Sequence, residues 1–345
     1  MSAGRGEPTA LAMRNLLEAI CLADELGLDY FGVGEHHTDW APVSAAPVLL
    51  AAAASRTKQI RLGSAVTVLS TEDPVRLYQQ FATLDAIASG RAEIIAGRGS
   101  STESFPLFGY DLADYDALFA EKLELLLQLD RNEAVTWEGR FRSPLKEARI
   151  VPRAHCGRLS IWLGTGGSAA SSIRAGQLGL PICYGIIGGP VARFAPLVDL
   201  YHRAAREAGH GLERLHVAVA SPGFIAADGR GARDLWWRHW CALLKDVAGS
   251  GRGVGAPDRR RFEADASAGG ALFVGSPEEV AERIVLLHRE MGHDRHFFQM
   301  DIGHLPQRDF LHAIELLGTR VKPLVDAELG SRQTILQQTV SEELR

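Results

Sequence analysis

The sequence predicts an α/β fold, a (β/α)8 barrel of the TIM type with insertions and with its first strand missing or truncated, and three observations lead there. Segments of helical periodicity alternate with short apolar runs along almost the whole chain, without reversal into hairpins, which is the pattern of a parallel sheet. No G-x-G-x-x-G or G-x-x-x-x-G-K-[ST] turn follows any of these runs, as an open doubly wound sheet usually requires. Polar residues collect instead where the runs end, at Glu35-His36-His37, Thr67, Arg98-Gly-Ser, Thr165-Gly-Gly-Ser168 and Asp301. The C-terminal rim of a barrel is where such groups meet.

Asn15 to Leu26 carries apolar residues at helical spacing, stops at Gly27 and leads into a buried strand, Leu28 to Gly34. The unit then repeats as helix Ala45 to Ser55, strand Ile60 to Val68, helix Pro74 to Ile87 and strand Ala92 to Gly97. A Gly/Ser loop, Gly97 to Ser104, precedes a long helix from Tyr115 to Leu129 and an irregular excursion from Val135 to Pro152. Strand Ser160 to Gly164 restores the alternation, followed by helix Ser168 to Gln177, strand Leu180 to Ile187, helix Val191 to Ala208 and strand Leu215 to Ala226. Residues 228–270, punctuated by Gly and Arg, read as an irregular, partly mobile insertion in which only Leu235 to Val247 is helical. Ser276-Pro-Glu-Glu opens a helix with a Ser cap, Pro at its first position and early acids, and strand His296 to Ile302 and helix Pro306 to Leu317 complete the pattern. That makes seven strands. The eighth should precede Asn15, but MSAGRGEPTALA holds no apolar run, so a gap is expected beside Leu28 to Gly34. The chain is read as one domain, 1–345, with 323–345 as a C-terminal tail.

Composition narrows the function. The 345 residues, 46% hydrophobic and 23% charged, are enough for a sizeable core. A net charge of -5, with Arg259-Arg260-Arg261 as a short basic run, gives no general attraction to nucleic acid or anionic lipid. The longest apolar stretches fall well short of the ~20 residues of a membrane span, and the N-terminus lacks a signal-peptide core, so a cytoplasmic protein is expected. Four scattered cysteines, Cys21, Cys156, Cys183 and Cys241, with no C-x-x-C pair, suit reduced thiols. Glu35-His36-His37 has no H-x-x-x-H or H-E-x-x-H companion, so no metal site is expected.

Three stretches, GVGEHH, GSAVTVLSTEDPVRLYQQFATLDAIASGRAEIIAGRGS and SIWLGTGGSAASSIRAGQLGLP, in this order and spacing, resemble the bacterial-luciferase-like family of flavin-dependent monooxygenases. The resemblance runs from about Asn15 to Leu317. It implies a (β/α)8 barrel with an insertion, usually dimeric, and an oxidoreductase that takes reduced FMN from a separate flavin reductase and uses dioxygen to oxygenate a small organic substrate. A large branch of the family instead uses a deazaflavin for hydride transfer. A non-catalytic flavin-binding relative is the third reading, prompted by the shortened start.

Residues can be set against these implications. Gly164-Thr-Gly-Gly-Ser-Ala-Ala-Ser171 is a Gly-rich strand exit opening into a helix N-terminus, whose unpaired amides and dipole favour an anion. Taken alone, a tight turn with Ser168 as the helix cap explains it equally well. With Arg98, which the resemblance makes the cation, Gly167, Ser168 and Ser171 become expected contacts of the flavin phosphate. By the family pattern His36 lies near the flavin ring as the catalytic residue, an imidazole suited to proton handling near neutral pH. Glu35 is expected to orient it or the barrel at the cofactor, with His37 and Trp40 on the substrate pocket wall. The resemblance also implies a non-prolyl cis peptide at Ala65–Val66 behind the flavin ring. The small-residue helix Ala45 to Ser55 is the expected homodimer contact, and Trp236, Trp237 and Trp240 are expected to anchor the insertion or cover the barrel mouth.

Overall fold

The computed structural model describes residues 9–99, 102–248 and 255–330. Helix α1 (Thr9–Glu25) buries Leu16, Ala19, Ile20 and Ala23, one face at i, i+3, i+4 and i+7. The Asp24 carboxylate accepts hydrogen bonds from the backbone N–H groups of Lys58, Gln59 and Ile60, each at 2.8 Å, and so ties the end of α1 to the entrance of the second strand. Strand β1 (Tyr30–Val33), α2 (Ala46–Ala54), β2 (Arg61–Val68), α3 (Pro74–Ile87) and β3 (Ala92–Gly97) follow the expected alternation. Asp73 caps α3 through the N–H groups of Val75 and Arg76, ahead of a Pro that needs no partner.

The excursion after α4 (Ser104–Phe108) and α5 (Tyr115–Arg131) departs from expectation. It is an antiparallel hairpin, β4 (Ala134–Trp137) with β5 (Leu145–Arg149), in which only Val135 and Trp137 of β4 are buried. Then come β6 (Ser160–Thr165), α6 (Ala169–Leu178), β7 (Ile182–Gly185), α7 (Ala195–Glu207) and β8 (Val217–Ile225). Residues 228–270, expected to be irregular, hold α8 (Gly229–Ala248), 20 residues long, and α9 (Arg259–Asp265). The helix expected over Leu235 to Val247 thus begins six residues earlier, with Gly229 and Gly231 in its first turn, where a lost side chain costs least. A strand the apolar pattern missed, β9 (Phe273–Gly275), spans three residues. The chain continues through α10 (Pro277–Met291), with a full capping box at Ser276 and Glu279, β10 (Arg295–Gln299) and α11 (Gln307–Leu316). The expected tail is helical over 322–330, and its remainder lies outside the described residues.

The main sheet is parallel, in the order β1-β2-β3-β6-β7-β8-β10, with β9 added beside β8. It curls into a barrel, and among the described residues β1 and β10 are edges that share no ladder, which is where the missing first strand was expected. Strand β8 changes neighbours along its length: Ala218 to Pro222 pair with β10, and Gly223 to Ile225 with β9. A Cβ at Gly223 would stand 2.6 Å from the Phe298 ring, so only glycine permits the changeover. Inside, Tyr30, Ile95, Trp162, Cys183 and Ala218 form a core separate from the larger one between sheet and helices.

Arg295 crosses the floor of this interior. Its guanidinium lies 4.6 Å from the ring centres of both Tyr30 and Trp162 and donates to Glu93 Oε2 at 2.6 Å. Glu93 is 2% exposed and also receives Arg61. Arg295→Met is expected to cost about 3 kcal/mol in urea unfolding, the low end for breaking a buried pair because Arg61 still reaches Glu93. Glu93→Leu combined with Arg295→Met should recover most of that loss.

A second buried group makes stability depend on pH. Burial, and then the charge of His288, push His293 down to about 4, and burial holds His296 well below the ordinary histidine range. Both fold as neutral rings, so unfolding takes up protons once the pH drops below the unfolded value near 6.5. Their contribution is complete above pH ~6.5 and is lost as the pH falls towards 4. Denaturant melts across that window should show the decline, and His293→Phe should remove about one proton from its slope.

Candidate active site

The C-terminal ends of the strands open on a cavity of 1920 Å³ that follows the barrel axis and reaches the seam between β1 and β10. Strand β1 ends at Val33, so Gly34 to His37 belong to the loop beyond it, free of the alternation of a strand. Glu35, His36, His37 and Trp40 therefore all line the cavity.

The pairing of these groups is specific. Glu35, 9% exposed, accepts from the backbone N–H of Val68 at 2.9 Å through Oε2 and meets His37 Nε2 at 3.0 Å through Oε1. It thus orients His37 and braces the end of β2, while His36 makes its hydrogen bond to another carboxylate. His36 Nδ1 lies 3.1 Å from Glu103 Oε1, with the ring 5.4 Å from that of Trp40. A carboxylate only accepts, so Nδ1 of His36 carries a hydrogen and Nε2 is the nitrogen left for the cavity. Glu103 was not picked out beforehand, because an acid in the Gly/Ser loop carries no spacing signal that links it to a histidine 67 residues away.

The Ala65–Val66 peptide is cis, and the β2–β3 register shifts between Ala65 and Thr67. Val66 then fills the space beside two glycines: a Cβ on Gly97 would come within 2.7 Å of it, and one on Gly164 within 3.0 Å. Ala65 and Val66 both line the cavity as an apolar patch beside the histidine loop, where a Cβ on Gly34 would come within 3.3 Å of the Ala65 carbonyl oxygen.

The expected phosphate contacts are split. Arg98 lines the cavity, but its guanidinium is held by Asp116 and lies over the Tyr115 ring at 5.3 Å. Ser100, its neighbour in the strand-end group, lies outside the described residues. Gly167, Ser168 and Ser171 are not on the cavity wall, which at this turn consists of Gly164, Thr165 and Gly166. Thr165 Oγ1 accepts from the N–H groups of Gly167 and Ser168, and Ser168 Oγ caps α6 at Ser171 N. The structure therefore supports the cap directly. Arg193, unnoticed in the sequence, lines the same side with Gly188 and Gly189, and among the described residues it makes no ion pair. Among the described residues no three His, Cys, Asp or Glu side chains gather as metal ligands.

Comparison with known proteins gives the site a context. A family profile described as luciferase-like monooxygenase matches residues 2–295. Limonene 1,2-monooxygenase of Rhodococcus erythropolis is 24% identical over 338 residues, 96% of this chain and 86% of that protein. The oxygenating constituent of 3,6-diketocamphane monooxygenase from Pseudomonas putida, solved with FMN, superposes with a TM-score of 0.74 at 20% identity over 94% of this chain and 98% of its own. The coenzyme F420 dependent tetrahydromethanopterin reductase from Methanopyrus kandleri gives 0.71 at 20% identity over 90% and 95%.

The Glu35 brace yields a test of its own. Glu35→Ala leaves the Val68 N–H buried without an acceptor and should lower stability by about 1–3 kcal/mol in thermal unfolding. Glu35→Gln keeps an acceptor for Val68 and should lose less.

Proposed function

The chain belongs to the luciferase-like monooxygenase family, and from that premise we propose that it uses reduced FMN and dioxygen to oxygenate a small organic substrate. The observation that carries the reading is that His36 and the cis-linked Ala65 and Val66 line one cavity. Bound reduced flavin supplies the electrons for dioxygen. The residues present fit such a group: an apolar surface for a ring at Ala65 and Val66, glycine turns at Gly164 to Gly166 and Gly188 to Gly189, and cations at Arg98 and Arg193 for an anionic end. The Arg98–Asp116 contact is exchangeable, since Asp116 is 78% exposed and a solvated pair is weak.

In this proposal Glu103 fixes the His36 tautomer, and Nε2 of His36 holds or passes a proton at the reacting face. His37, held by Glu35, and Trp40 shape the wall. Gly167, Ser168 and Ser171 act behind the turn, setting the start of α6 rather than meeting the ligand. A separate flavin reductase provides reduced FMN, and α2, with Val48 69% exposed, is the homodimer contact. Hydride transfer from a deazaflavin is the second reading, favoured by the F420-dependent fold neighbour.

Reconstitution with FMN and a reductase, followed by a product screen of aldehydes, alkanes, sulfonates and aromatic compounds, tests the reading. Substrate-dependent oxygen uptake is expected. His36→Ala should leave FMN affinity nearly intact while turnover falls ~10²–10⁴-fold and peroxide yield rises. Bleaching of a deazaflavin without oxygen uptake would favour the second reading, and oxygen uptake no faster than with free reduced FMN, together with no change in the deazaflavin, would reject both.

A further inference from the structure

We propose that residues 333–341 of this chain complete the barrel as its eighth strand, lying parallel between β1 and β10. Two open edges define the place. Among the described residues β1 is laddered only to β2, and β10 only to β8, so each turns a row of backbone N–H and C=O groups towards the seam. Phe31, Phe297 and Phe298 on these strands are only half-buried and line the cavity where it reaches the seam. Unpaired backbone groups inside a fold are costly, and apolar rings facing a cavity gain nothing until something covers them. One strand placed here answers both.

The chain arrives at the right end of the seam. The helix over 322–330 crosses the pole where β1 and β10 begin: Lys322 Nζ lies 3.6 Å from Asp29 Oδ2, one residue before β1, and Arg289 near the end of α10, which leads into β10, donates to Glu328 Oε1 at 2.7 Å. Lys322, Val325 and Leu329, at i, i+3 and i+7, are half-buried and line the cavity, so one face of this helix lies against the bottom of the seam. Gly330 follows directly, and residues 331–345 continue from there. A strand that starts at this pole runs parallel to both neighbours, as β1 with β2 and β10 with β8 already do.

The sequence chooses the segment. Gln333 to Ser341, QTILQQTVS, carries no charge, Gly or Pro, and Thr334, Ile335, Thr339 and Val340 are β-branched. The edges to be matched are four and five residues long. At about 3.3 Å per residue the segment covers them with residues to spare for the turn after Gly330. Successive side chains of a strand point to opposite faces, so adjacent Ile335 and Leu336 give each face an apolar group in any register. One side of the seam offers the Tyr30 and Phe297 rings, which meet at 5.2 Å, and the other offers Leu16 of α1 and Ile314 of α11. Residues 1–8, MSAGRGEP, hold no β-branched or aromatic residue and so do not compete for the place.

The test is hydrogen exchange of the full chain, resolved by residue. Amides of 334–340 should exchange ~100-fold or more slowly than in a free peptide of the same sequence, and the amides of β1 and β10 that point into the seam should be protected with them. Leu336→Pro removes a ladder donor and does not fit a central strand. It should abolish protection over 334–340 and speed exchange of the seam-facing amides in Tyr30–Val33 and Arg295–Gln299 by ~10-fold or more, whereas Leu336→Val should leave both as they are. Thr339→Pro serves if Leu336→Pro does not fold, and the wild-type pattern at the seam-facing amides decides if neither does. Peptide-like exchange over 334–340, unprotected seam-facing amides in the wild type, or edges unaltered in a folded proline variant overturns the proposal. Protection that grows with protein concentration also overturns it, because the strand would then come from a second copy.

Discussion

The contact between Glu93 and Arg295 holds the two ends of the sheet in one barrel. Among the described residues β1 and β10 share no ladder, so no backbone pairing there closes the curl between them. Arg295 does so from β10, reaching across the interior to Glu93 on β3 and lying between Tyr30 of β1 and Trp162 of β6. A buried guanidinium is tolerated only where hydrogen bonds and ring faces replace its water, and this floor supplies both. Four strands are thereby referred to one side chain, and the rim above inherits their spacing.

That spacing makes the site possible. A parallel sheet delivers every strand end to the same rim, so the loop after β1, the turn of β2 at Ala65–Val66 and the glycine exits of β6 and β7 face one another without any loop having to travel. Glu35 then joins two of them, its oxygens serving the Val68 backbone and His37. The brace leaves His36 to a partner from elsewhere, Glu103, and so the two adjacent imidazoles have separate carboxylates and separate orientations.

Much of this was legible in the residues, and the exceptions have physical causes. Periodicity located the barrel helices and seven strands because each buries one continuous face. It missed β9, since three residues cannot show a period, and it began α8 six residues late because glycines at a helix end look like glycines in a turn. The hairpin β4–β5 escaped because it lies outside the barrel and buries little. Side-chain pairing was the least legible: the link from Glu103 to His36 and the placing of Arg193 depend on how loops fold back, which spacing does not encode. The cis peptide at Ala65–Val66 came from family resemblance and not from any property of Ala or Val.

The change of neighbours along β8 divides the molecule by height. Its lower half is laddered to β10 and to the Arg295 floor, and its upper half to β9, the strand that returns from α8 and α9. The barrel is thus a building whose ground storey is shared structure and whose upper storey is hung on a separate stretch of chain, with Gly223 as the landing between them. Sequence change in 229–275 can remodel the upper rooms while the foundations stay as they are, and a lineage can try new tenants without rebuilding the house.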